Sequence, residues 1–153
     1  MAKDSDSAIR TSPSPHGGQG EGACLCVDAA CSGNPGMMEY RGVHLPSGKE
    51  VFHFGPIQGT NNIGEFLAIV HALALMKQKG IRMPVYSDSV SGLAWVRNRK
   101  AKTTLALTEQ TAKALDLVRR AESWLRQNAV DVPLLKWNTE EWGEIPADFG
   151  RKK

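Results

Sequence analysis

From Ala23 onward the apolar residues fall into blocks with two different periods. Cys24, Leu25, Cys26 and Val27 form an unbroken run that stops at Asp28, and Gly33-Asn34-Pro35-Gly36 follows. A short apolar run bounded by turn residues predicts a buried strand. Met38 to Leu45 and Glu50 to Ile57 are two more extended segments, joined by Pro46-Ser47-Gly48-Lys49. Those four residues are the chemistry of a hairpin turn, so the first three strands form an antiparallel meander. The period then lengthens: Ile63, Phe66, Leu67, Val70 and Ala74 share one helical face, and Gly80 is placed to end that helix. Met83 to Ser87 predicts a fourth strand ending at Asp88. A short helix follows, with Val90, Leu93 and Ala94 inward. Leu107, Thr111, Leu115, Val118 and Leu125 mark a long amphipathic helix, with Thr108 as its cap and Asn128 at its end. Val132 to Trp137 is a fifth strand, with Pro133 at its start, where a missing donor is tolerated. One or two helical turns are expected from Pro146 on. The order is β-β-β-α-β-α-α-β-α, which predicts an α/β protein built on a five-stranded mixed sheet, the first three strands antiparallel, flanked by helices.

Residues 1–22, rich in Ser, Pro and Gly, hold little that could be buried and read as a flexible tail or linker remnant; residues 23–153 are the expected folded domain. The chain of 153 residues is long enough for one self-sufficient core. Its 3 cysteines show no framework spacing and suit a reducing compartment, so a cytoplasmic location is expected. No apolar run approaches a membrane span, and no signal-like stretch opens the chain. The formal net charge is +3. That permits a polyanionic partner without requiring one. Arg97, Arg99, Lys100 and Lys102 place four cations close together without an acid among them. Such a run is either a solvated loop or a contact for phosphates.

The acids are more informative. Asp28 and Asp88 each follow a predicted buried strand, where α/β sheets place their polar crevice. An aspartate there can equally cap a helix or a turn. Glu65 lies beside Ile63 and Phe66 on the inward side of the first helix, where an acid is costly unless paired or bound to a cation. Asp148 lies in Ile145-Pro146-Ala147-Asp148-Phe149. Carboxylates gathered at one place repel and raise one another's pKa unless a divalent cation neutralises them, and oxygen-only ligands suit Mg²⁺ or Mn²⁺. His44, His53 and His71 stand in hairpin strands and helix and read as structural.

Three segments, Asp28 to Gly36 (DAACSGNPG), Thr60 to Leu73 (TNNIGEFLAIVHAL) and Tyr86 to Ser89 (YSDS), resemble in order and spacing the signatures of ribonuclease H type 1; Ala147-Asp148 resembles the fourth. The resemblance spans about residues 23–150. It implies a ribonuclease H-like fold and hydrolysis of the RNA strand of RNA–DNA hybrids, largely independent of sequence, leaving 5′-phosphate and 3′-hydroxyl ends. Carried over by residue, Asp28, Glu65, Asp88 and Asp148 match the four carboxylates that hold two Mg²⁺ ions, for which Mn²⁺ can substitute. Asn34, Asn61 and Asn62 match positions that contact the RNA backbone and its 2′-hydroxyls. An amide donates and accepts, as a 2′-hydroxyl does. Thr60 matches a position associated with a DNA phosphate, and Gly33 and Gly36, having no side chain, leave room for the main chain to approach the minor groove. Trp95, Arg97, Arg99, Lys100 and Lys102 resemble a shortened form of the family's basic DNA-gripping protrusion.

The sequence also departs from the family. Ala29 replaces a usual glycine, and Val90 stands where a polar residue often touches RNA. The loop before Asp148, Asn138 to Glu144, lacks the family's histidine and holds Glu140, Glu141 and Glu144 instead. The tail resembles the linker that joins some relatives to a small hybrid-binding domain. The expected partner is an RNA–DNA hybrid, with no membrane, and the expected state is a monomer. Two other readings differ in the residues they require. A DNA-directed nuclease of the same superfamily has no use for the three asparagines, and a non-catalytic hybrid-binding module would lack one of the four carboxylates.

Overall fold

The computed structural model describes residues 22–150; the expected tail, apart from its last residue, lies outside the described residues. Strands β1 (Cys24–Cys31), β2 (Gly36–Leu45) and β3 (Glu50–Gly59) are followed by helix α1 (Asn61–Lys79) and strand β4 (Val85–Ser87). Helices α2 (Val90–Asn98) and α3 (Ala112–Gln127), strand β5 (Leu134–Lys136) and the short helix α4 (Thr139–Trp142) complete the order. The sheet runs β3-β2-β1-β4-β5. The β1–β2 and β2–β3 pairs are antiparallel, and β1–β4 and β4–β5 are parallel. The fold class is the one expected from the sequence.

β1 is central and covered on both faces, which is why its apolar residues run without alternation. Leu25 and Val27 enter a large core with α1, α2 and α3, while Cys24 and Cys26 face a smaller cluster with Val43, Leu45, Trp137, Ile145 and Ala147. The three cysteines are free thiols. Among the described residues, no helix is long and apolar enough to cross a membrane.

α1 is capped at both ends as its sequence suggests. The Thr60 hydroxyl accepts the Ile63 N–H (3.2 Å), and Gly80, at φ 70°, donates its N–H to the carbonyls of Met76 and Lys77. Between them, Gly64 brings the helix against the sheet. A Cβ there would stand 2.8 Å from the Ala29 Cβ and 2.9 Å from the Met38 Cγ. Gly64→Ala is therefore expected to push α1 off β1 and to cost ~1–3 kcal/mol, the usual penalty of overpacking. Urea denaturation measures it, and an unchanged midpoint would mean that the helix has room to spare.

Four details of the expected elements are corrected. α3 starts at Ala112, with Thr111 at the cap position. Thr108 and Leu107 belong to the preceding loop, where the Thr108 hydroxyl bonds to Thr111 and Leu107 is 70% exposed. Val90 is also 70% exposed, because the first residue of α2 points away from the core that Leu93 and Val96 enter. Finally, the C-terminal helical turns lie before Pro146, in α4, and residues 146–147 form only a turn. Asp148 is thus carried by irregular chain.

Candidate metal centre and nucleic-acid groove

The register of the sheet explains how two aspartates from distant sequence meet. The parallel β1–β4 ladder ends at the pair Val27↔Ser87, so Asp28 and Asp88 are the next residues on neighbouring strands. Asp28 is not at the end of β1, as the sequence suggested: antiparallel pairing with β2 continues to Cys31↔Met38. That continuation holds the Asp28 main chain rigid where its parallel neighbour leaves the sheet. The capping role that Asp88 could have taken belongs to Ser89, whose hydroxyl accepts the Gly92 N–H at 2.8 Å. Asp88 is left to face the cleft.

Glu65 enters from the second turn of α1. Ligand oxygens of Asp28, Glu65 and Asp88 all lie within 4.8 Å of one another. Asp28 is 6% exposed and Glu65 3%. Burial, with the nearby Asp88 charge adding to it, pushes the Asp28 carboxyl up to about 7. Burial raises Glu65 well above the carboxylate range, with the Asp28 charge next in importance and the hydrogen bond to Asp28 adding to it. Asp88 is raised as well, again mainly by burial, with the Lys136 cation opposing the shift. One oxygen, Glu65 Oε1, is buried with no hydrogen-bond partner. A buried orphan acceptor among three crowded acids requires either a proton or a cation.

Asp148 stands outside this tight trio but lines the same cleft, together with Glu144, Asn34, Asn61 and Ser89. Its charge contributes to the raised pKa of both Asp28 and Asp88. Of the three glutamates in the loop before it, Glu144 is the one that lines the cleft.

A groove adjoins the cleft across the N-terminus of α1. Asn34, Pro35, Thr60, Asn61 and Asn62 form one side, and Trp95 with Lys102 to Ala106 the other. The Asn34 side-chain oxygen accepts the Asn61 N–H at 2.9 Å, tying the β1–β2 turn to the start of α1. Gly33 lies in that turn, and a Cβ there would come within 3.1 Å of the Pro35 carbonyl oxygen. The turn's own closure thus accounts for this glycine.

The basic run is not a protruding handle. Trp95 is 9% exposed and packs edge-on against Phe66, so it is a core residue whose rim lines the groove. Arg97 donates to the Leu134 carbonyl (2.7 Å), tying α2 to β5. Arg99, left-handed at φ 57°, ends α2, and its Nε donates to the Leu125 carbonyl of α3. All four cations are exposed, and of them Lys102 lines the groove. Thr103 and Thr104, which sequence reasoning passed over, line the groove beside Lys102. The available signal was a hydroxyl pair directly after a cation, too weak without the fold.

The RNase H family model matches residues 21–137. The chain belongs to the RNase H family. It is 30% identical over 130 residues to the ribonuclease H of Ruthia magnifica, covering 81% of this chain and 88% of that one. Against the ribonuclease H of Methylobacillus flagellatus it is 32% identical over 130 residues, covering 81% and 85%. The crystal structure of RNase H1 from the halophilic archaeon Halobacterium salinarum superposes with a TM-score of 0.50 at 20% identity, covering 78% of this chain and 87% of that one, a likeness of fold. The family match takes in Asp28, Glu65 and Asp88 and stops before Asp148, so the fourth acid rests on its place in the cleft.

Proposed function

We propose that this ribonuclease H hydrolyses the RNA strand of RNA–DNA hybrids with Asp28, Glu65, Asp88 and Asp148 holding two Mg²⁺ ions, for which Mn²⁺ can substitute. The observation that carries the reading is the orphaned Glu65 Oε1 inside a trio of buried carboxylates. The donor set is all oxygen, which suits a hard divalent cation rather than zinc. When bound, such ions activate water and neutralise charge on the leaving oxygen.

The chain itself supplies placement. Asp28, central in the trio and held by the β1–β2 pairing, is the most rigidly placed of the residues that would hold the ions. Glu65 and Asp88 approach it from α1 and β4, and Asp148 closes the far side of the cleft. The half-buried Asn61, with Asn34 and Asn62 exposed, offers amide groups at the cleft mouth where an RNA strand and its 2′-hydroxyls would lie. Thr60 and Lys102 offer a hydroxyl and a cation to phosphates along the groove, contacts that position a duplex without reading its sequence. Glu144, exposed and lining the same cleft, takes the place of the family's loop histidine as the group that exchanges protons or eases ion departure.

One labelled RNA strand, presented in a DNA hybrid, in an RNA duplex and alone, tests this. Cleavage should be confined to the hybrid, should require Mg²⁺ or Mn²⁺, and should stop with chelator. Equal cutting of all three substrates, or cutting in chelator, would overturn the assignment.

A further inference from the structure

Asp148 poses a problem of rigidity. Asp28 sits in a central strand, Glu65 in a long helix and Asp88 directly beyond a parallel ladder, but Asp148 follows a turn and belongs to no regular element. A ligand on irregular chain contributes little unless something over-determines its position. Ile145 and Ala147, 1% and 0% exposed, are buried beneath Trp137, and the Asp148 N–H bonds to the Ile145 carbonyl at 2.8 Å. These contacts fix the chain before Asp148.

At and after Asp148 two things hold it: its own turn, in which Asp148 Oδ2 accepts the Gly150 N–H at 2.8 Å, and, from across the sheet, Arg41. This residue lies on β2 directly opposite Asp28 in the β1–β2 register. Its Nε donates to the Ala147 carbonyl (2.8 Å) and a terminal nitrogen donates to the Asp148 carbonyl (2.6 Å). The guanidinium carbon stands 5.0 Å from the centre of the Phe149 ring. A further nitrogen reaches Glu50 at 3.4 Å, which steadies the group from the next strand. The two short bonds end on main-chain carbonyls on either side of the Asp148 Cα, not on its carboxylate. The fork therefore orients the residue without using its carboxylate, of which Oδ2 accepts the Gly150 N–H and Oδ1 is left to the cleft that Asp148 lines.

We infer that Arg41 is a positioning residue for the fourth carboxylate: it locks the main chain at Asp148 to the strand position facing Asp28, and so sets the distance between those two acids. This rests on the proposed role of Asp148 as a ligand. Arg41 touches neither substrate nor reacting atoms in this arrangement; its effect passes through Asp148.

Arg41→Met keeps the aliphatic stem beside Phe149 and removes every donor. Hydrogen exchange at the Asp148 and Gly150 amides should quicken by about tenfold or more, as expected for losing charge-assisted bonds. Exchange in β1 and α1 should not change. Calorimetry with Mn²⁺ should show weaker binding, and the Mg²⁺ concentration for half-maximal hybrid cleavage should rise while KM for the hybrid holds. In an Asp148→Asn background, Arg41→Met should cause no further loss of cleavage. Native exchange rates, or additive losses in the double variant, would overturn the inference. Should Arg41→Met not fold, Arg41→Lys, which keeps the charge but not the planar fork, decides by the same exchange measurement. Full activity in Asp148→Asn would instead refute the ligand role of Asp148, and the exchange readout is independent of that result.

Discussion

Asp28→Asn should abolish hybrid cleavage, by on the order of 10³-fold or more, and should at the same time stabilise the metal-free protein above pH 7. Both effects come from one position. Asp28 is the trio's central acid, hydrogen-bonded to Glu65 and to Asp88 and buried to 6% exposure. The amide has the same shape, so β1 and its two ladders are retained, but it carries no charge with which to hold a divalent cation. With Asp28 ionised, the metal-free protein bears a buried negative charge whose folded pKa of about 7 lies well above its ordinary 3.8. Removing that ionisation is worth on the order of a few kcal/mol at pH 8. Urea denaturation in chelator and hybrid cleavage in Mg²⁺, measured on the same preparation, read the two effects. An active variant would show that Asp28 is not a ligand. An inactive variant with unchanged stability would show that the trio is not strained.

The same strain predicts how the wild-type protein responds to pH. A carboxyl whose folded pKa is raised binds its proton more tightly in the folded state. The stability it contributes is complete below the unfolded value and is lost as pH rises through the folded one. For Asp28 that window runs from about 4 to about 7, with Glu65 and Asp88 shifted in the same direction. In chelator, Tm should therefore fall as pH is raised across this window. A cation that binds the ionised cluster stabilises only the folded state, so Mg²⁺ should lift the upper part of the curve and leave the acidic end nearly unchanged. The gap between the two curves should open with rising pH and should close in Asp28→Asn. Parallel curves would place the Mg²⁺ effect somewhere other than this cleft.

The candidate site was legible to different degrees, for reasons visible in particular residues. Glu65 stood out because an acid on an apolar helical face has few bland explanations. Asp88 did not separate itself from a helix cap until Ser89 was seen to fill that role. Trp95 looked like part of a nucleic-acid handle because aromatic and basic residues adjoin in sequence; helical geometry turns its ring onto Phe66 instead. Arg97 and Arg99, which the sequence offered as cations in a run, each give one N–H to a carbonyl, of β5 and α3 respectively, and stay exposed. Arg41 gave no signal at all. A lone arginine in a strand has no periodicity to break, and its partners lie 106 and 107 residues away.

Element type and order were decided by local pattern, since a doubly covered strand, a hairpin turn and a 3.6-residue stripe each leave a mark within ten or so residues. From that order follow the mixed sheet and, through three short motifs, the family. The tertiary structure alone decided which acids touch, which cation of the basic run lines the groove and what anchors Asp148. Each of those depends on where the parallel ladder stops, where α2 reverses and which side chain reaches across the sheet. These contacts join residues remote in sequence, and their geometry is set by packing, which no local pattern records.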